Sequence, residues 1–215
     1  MLKLTQTNNQ EITMLLKALN NVKISYLKQL YNKVTKGVQN PERVFVAELY
    51  HQLRVLQENK SNPAYSNLNF HVETNKQSLG NLLHPCIQGY DFKRVSPDLI
   101  LHLNQNNSYS NNQKLVCEIK MEGADWSKIT KDFHKLIFYK LSRLNFQTAV
   151  FIYTGLKSDL DRVLEIHNTN NYNESLVRCL RDNNIFFLLP SKINKKTKND
   201  SYRWEAYEID IHNNI

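Results

Sequence analysis

The stretch VSPDLILHLNQNNSYSNNQKLVCEIKME, residues 95–122, decides how the chain is read. Two apolar runs flank a polar segment rich in Asn and Ser, the pattern of two strands joined by a turn. With the turn, Asn104 to Asn112, centred on Ser108, antiparallel pairing joins positions whose numbers sum to 216 and sets Asp98 across from Glu118. Alternation then sends Leu99, Leu101, Leu103, Cys117, Ile119 and Met121 to one face and Asp98, Glu118 and Lys120 to the other. The first face is expected to pack and the second to stay open for chemistry. Neighbouring carboxylates repel and are costly to desolvate, so a sheet that holds them calls for a lysine or a hard cation. Mg²⁺, with Mn²⁺ as a substitute, suits such oxygen ligands and keeps waters of its own.

Working outward, Asn40 offers a helix cap, Pro41 a first-turn residue and Glu42 a charge favourable to the helix dipole. PERVFVAELYHQLRVLQEN, 41–59, is therefore predicted helical, with Glu48 in its middle. Before it, from about Ile12 to Val34, apolar residues recur at mostly helical intervals, with Asn20 and Asn21 a point of disruption and Gly37 the end. Strands are predicted in NLNFHVET (67–74), PDLILHL (97–103), KLVCEIKM (114–121), TAVFIYT (148–154), IFFLLP (185–190) and YRWEAYEIDIH (202–212). Helical patterns cover about 127–145 and 158–182, the second in two pieces around NTNNYNE. Strands interspersed with helices indicate an α/β sheet covered by helices. The division expected is an N-terminal helical arm over 1–39 and one domain over 40–215, with SKINKKTKND, 191–200, a basic loop between the last two strands.

The 215 residues carry a net charge of +8, which favours a polyanionic partner, with plain solubility as the alternative. Cys86, Cys117 and Cys179 are odd in number and scattered, which argues against a disulfide framework and for a reducing cytoplasm. No signal peptide or apolar span is present in the sequence, so a cytoplasmic protein without a membrane partner is expected.

Pro97-Asp98 followed by Glu118-Ile119-Lys120, with Glu48 on a preceding helix, resembles the PD-(D/E)XK nuclease superfamily. The resemblance implies a restriction endonuclease-like core from about Pro41 to Leu189, a mixed sheet flanked by helices. It also implies a Mg²⁺-dependent DNA endonuclease of defence, repair or recombination. Asp98, Glu118 and the Ile119 carbonyl would bind the ion, and Lys120 would orient water and stabilise developing charge. Glu48 would hold a second ion or act through water; its plain alternative is a solvent-facing helix residue. Glu58-Asn59-Lys60 and Asp91-Phe92-Lys93 repeat the acidic-x-Lys triplet outside any apolar strand.

Lys128, Lys131 and Lys135 are spaced to share one face of the following helix, and Lys93 and Arg94 precede the motif. All are candidates for phosphate contacts that confer affinity without reading sequence, against a merely solvated lysine face. His84-Pro85-Cys86 has no second ligand pair for zinc, and no Gly-rich phosphate cradle is present. His102 shares the strand face of Asp98, as a substrate contact or a plain polar residue. Two other readings stand beside the DNA nuclease. One is an RNA nuclease; the other is a non-catalytic nucleic-acid-binding or assembly module of the same fold, its N-terminal arm serving as a homodimer surface.

Overall fold

A computed structural model describes residues 1–23, 26–27, 41–59, 68–72, 76–77, 85–87, 94–103, 112–142, 144–169, 174–191 and 202–210. In chain order the elements are β1 (Leu2–Leu4), α1 (Gln10–Asn21), α2 (Pro41–Glu58), β2 (Leu68–Val72), β3 (Lys76–Gln77), a 3-10 turn (Pro85–Ile87), β4 (Arg94–Val95), β5 (Leu99–Leu103) and β6 (Gln113–Lys120). They continue as α3 (Trp126–Leu141), β7 (Thr148–Tyr153), α4 (Lys157–Thr169), α5 (Glu174–Asp182), β8 (Ile185–Ser191) and β9 (Arg203–Ile209). Seven strands form one mixed sheet in the order β1-β9-β8-β7-β6-β5-β2, and β3 pairs with β4 in a separate ribbon. The α/β class and the mixed sheet flanked by helices are as expected from the sequence.

Strands β6, β7 and β8 run parallel at the centre, and antiparallel pairs extend the sheet on both sides. Central strands covered on both faces need an unbroken apolar run, and TAVFIY in β7 is buried at every residue. One face, with Leu99, Leu101, Cys117, Ile119 and Ile152, packs under α1 and α2. The other, with Ile100, Val116, Phe151 and Phe187, packs under α3, α4 and α5.

The register of β5 on β6 follows the expected pairing: Leu99 faces Cys117, Ile100 faces Val116 and Leu101 faces Leu115. It shifts at an irregularity between Leu101 and His102, after which His102 faces Gln113. The centre of the turn lies outside the described residues, as do Asn40 and the basic loop after Ser191.

Two expectations are corrected. Residues 1–23 of the expected arm pack against the sheet and its helices, while 28–39 lie outside the described residues. Asn9 caps α1 by accepting from Ile12 N at 3.0 Å, and Ile12, Leu15 and Leu19 share a core with Phe45 and Leu49 of α2 and with Trp204 of β9. β1 closes the sheet edge against β9, and Leu2 N donates to Asp161 Oδ1 of α4 at 2.8 Å. The apolar face of α1, which the sequence offers to a dimer partner, is thus consumed within the chain. Helical periodicity shows that a face needs covering; it does not say by what.

Cysteine usage is the second correction: Cys86 of the 3-10 turn and Cys179 of α5 form a disulfide across 93 positions, with Cα atoms 5.9 Å apart. Sequence spacing carries no signal for a pair that only the folded chain brings within bonding range. A disulfide belongs to oxidising surroundings, so cysteine usage no longer speaks for a reducing cytoplasm. Among the described residues no helix is long and apolar enough to cross a membrane. Because the bond closes a long loop, Cys86→Ser is expected to lower stability by about 2–4 kcal/mol. Urea unfolding with and without dithiothreitol checks this; curves that coincide with and without the reductant would show that the bond contributes nothing.

Candidate active site

The cluster forms where the C-terminal end of β6 meets α3 and the first turn of α2. Period-two alternation points Glu118 and Lys120 to the α3 face, while Ile119 between them joins the core under α2. Asp98, just before β5, is tied to the same strand end: its Oδ2 accepts from Ile119 N at 2.7 Å. The sheet therefore brings Asp98, Glu118 and Lys120 together as the pairing requires.

That face is covered rather than open. Glu118 is 0% exposed; its Oε2 accepts from Lys135 Nζ at 3.0 Å and its Oε1 from Tyr139 OH at 3.1 Å. Lys135 also lies 2.7 Å from Asp132 Oδ1, so one ammonium joins two carboxylates. Lys120 Nζ lies 3.2 Å from both Glu42 carboxylate oxygens, 3.0 Å from Asp132 Oδ2 and 2.9 Å from the Ile119 carbonyl. The contact with Asp132 Oδ2 has ion-pair distance without hydrogen-bond alignment, which leaves that buried oxygen without a hydrogen bond. Access is from the strand end, where Lys120 and Glu42 keep 12% and 26% of their side chains exposed.

Among the described residues, four carboxylates (Glu42, Asp98, Glu118 and Asp132) meet two ammonium groups, an excess of two negative charges when all are ionised. Burial, reinforced by Asp132 and Asp98 and opposed by Lys135, pushes the Glu118 carboxyl well above the ordinary range. Burial likewise pushes Asp98 up to about 6, against the lowering pull of Lys120 and of the Ile119 amide. On both lysines burial works against the charge, but the surrounding carboxylates outweigh it and raise them, so both stay protonated. Lys120 is a fixed cation and not a base.

A testable consequence follows for Asp98. Its folded value lies above the ordinary 3.8, so the folded chain holds this proton more tightly than the unfolded one. Stability therefore falls as pH rises from about 4 through about 6, and ionised Asp98 is a burden at neutral pH. Asp98→Asn keeps an oxygen for Ile119 N and removes the charge. Thermal melts are expected to show a gain in Tm at pH 8 that shrinks towards pH 4.5. A gain independent of pH would mean that the charge is not the cause.

The other sequence candidates fall in different places. Glu48 is paired within α2, where Gln52 Nε2 donates to its Oε1 at 2.7 Å; the α2 carboxylate that reaches the cluster is Glu42. Six residues separate the two, about two-thirds of a turn around the helix axis beyond one full turn. Lys128 and Lys131 are exposed on α3, whereas Lys135 turns into the cluster with 19% of its side chain exposed. Lys93 and the side chain of Arg94 lie outside the described residues, as does His84. His102 is buried and stacks on His71 at 4.7 Å between ring centroids.

Sequence reasoning missed Asp132, Tyr139 and the role of Glu42. A signal for the first two existed: Lys128, Asp132, Lys135 and Tyr139 recur at intervals of four, three and four along α3, a helical stripe beside the apolar one. Among the described residues no three His, Cys, Asp or Glu side chains form a ready metal-holding group. Lysine nitrogens stand between the carboxylates instead. Comparison with protein-family models, curated proteins and solved structures yields no match for this chain.

Proposed function

We propose that the cluster is the active site of a Mg²⁺-dependent nuclease of the PD-(D/E)XK kind that hydrolyses phosphodiester bonds in DNA. The observation that carries the reading is the β5–β6 register, which sets Asp98 beside the Glu118-Ile119-Lys120 strand end with Lys120 Nζ among the carboxylates. The donor set suits Mg²⁺ in chemistry: the groups are hard oxygens, the carboxylates outnumber the ammonium groups four to two, and Asp132 Oδ2 is buried without a hydrogen bond. Asp98 and Glu118 would hold the ion, with Asp132 as a third carboxylate. The Ile119 carbonyl, the other ligand that the family resemblance implies, accepts from Lys120. When bound, Mg²⁺ polarises the phosphoryl oxygen and lowers the pKa of a water ligand.

The chain's own residues do the rest. Lys120, held positive at the half-open end of the cluster, donates to a non-bridging phosphate oxygen and stabilises the charge that develops there. Glu42 fixes the position of that ammonium through two contacts. Lys128 and Lys131, exposed on α3, offer the backbone contacts of a non-specific nucleic-acid surface.

A second reading has one observation in its favour. Glu118 is fully buried with both oxygens engaged, as in a structural polar lock within a non-catalytic module. Incubation with supercoiled, linear, branched and single-stranded DNA and with RNA, in Mg²⁺, Mn²⁺ or chelator, separates the readings. Metal-dependent cleavage of DNA is expected. Binding without cleavage of any substrate would favour the module, and cleavage of RNA alone would move the substrate class.

A further inference from the structure

We infer that Lys135 is the resident cation of the cluster: its ammonium holds the place that a divalent ion takes, and the ion enters by displacing it. This deepens the metal-centre reading above and rests on it.

Lys135 Nζ bridges Glu118 Oε2 at 3.0 Å and Asp132 Oδ1 at 2.7 Å, joining two carboxylates of different elements as a metal ion would. Glu118 is sealed from water, and Lys135 is the cation in contact with it among the described residues, the pairing that a buried carboxylate needs if it is to be ionised. Even with both ammonium groups counted, the cluster is short of positive charge when its carboxylates are ionised. Exchanging the Lys135 ammonium for a divalent ion adds one unit, which is the direction that the crowded carboxylates favour. The lysine is suited to leave. It is a point charge on a flexible stem without the two-pronged grip of arginine, and its side chain is 19% exposed beside the solvent face that carries Lys128 and Lys131. Swung outward, it joins those two as a phosphate contact, so the metal-free ion pair and the nucleic-acid surface are two positions of one side chain.

The deciding experiment is limited acylation of wild-type lysines, read by mass spectrometry, with and without Mn²⁺ and without nucleic acid. Lys135 is expected to be protected in the metal-free protein and to label several-fold faster in Mn²⁺, with Lys131 on the same helix unchanged as the internal control. Labelling of Lys135 that ignores Mn²⁺ overturns the inference. As a second arm, Lys135→Met is expected to bind Mn²⁺ at least about tenfold tighter by titration calorimetry, since the ammonium that competes for the same two carboxylates is removed. A folded variant whose Mn²⁺ affinity equals that of wild type also overturns it. Where the variant unfolds without metal, refolding on addition of Mn²⁺ supports the inference; where it does not refold, the wild-type labelling decides. Neither arm measures cleavage, so the two readings fail separately. A protein that passes both arms but cuts nothing loses only the hydrolase reading, and one that cuts DNA while Lys135 ignores Mn²⁺ loses only this inference.

Discussion

Lys120→Ala is expected to lower the rate of Mg²⁺-dependent DNA cleavage by about 10²–10³-fold, the usual consequence of removing one preorganised donor from developing negative charge. The side chain is placed for this by both halves of its surroundings. Asp132, Asp98 and Glu42 keep it charged in spite of burial, and contacts to Glu42 and to the Ile119 carbonyl fix its Nζ at the open end of β6. Because its role is electrostatic, the loss should appear in kcat more than in KM, and pH should not restore it. Single-turnover cleavage measures the effect without interference from product release. Glu42→Gln, which weakens the hold on Lys120, is expected to slow cleavage more than Glu48→Gln does. The reverse order would return the helix carboxylate to Glu48 and detach Glu42 from the site.

The second large effect concerns stability. Among the described residues, Lys135→Ala leaves Glu118 buried with only the Tyr139 hydroxyl and Asp132 with only the Lys120 contact. Removing one partner of a buried ion pair costs about 3–5 kcal/mol, because the remaining charge is neither solvated nor matched. For a chain of this size that corresponds to a fall in Tm of roughly 10 °C. Glu118→Gln in the same background takes away the stranded charge and should recover much of the loss, while Glu118→Gln alone should cost less than Lys135→Ala. Urea titrations of the three variants form a cycle that isolates the pair. If Lys135→Ala leaves the midpoint unchanged, Glu118 is not ionised in the metal-free protein and the ion pair is not what holds this corner.

How far the sequence could be read depended on the range over which each determinant acts. Alternation and a symmetric turn act locally, and they placed Asp98 and Glu118 on one strand end and Leu99 and Cys117 on the opposite face. Pro41 and the periodicity after it likewise located α2 to within a residue at each end. What the sequence could not carry was the identity of each buried partner. Ile12, Leu15 and Leu19 display an apolar stripe that suits a dimer as well as the chain's own α2. Glu42 and Glu48 both sit on α2 on different sides of its axis, and only the packed chain brings the first to Lys120. Lys135, read as a phosphate contact from its spacing with Lys128 and Lys131, turns inward onto Glu118 and Asp132, of which Glu118 has no other cation in contact among the described residues. Cys86 and Cys179 meet only after α5 has packed near the 3-10 turn.

Anomalous diffraction from crystals grown in Mn²⁺ tests the central claim most directly, because it locates the ion without reference to any assay. The account predicts a peak at about 2.0–2.2 Å from oxygens of Asp98 and of Glu118 or Asp132, with Lys135 Nζ withdrawn from between the two α3-face carboxylates. A protein saturated with Mn²⁺ whose peaks lie elsewhere, with Lys135 Nζ still between Glu118 and Asp132, would contradict it.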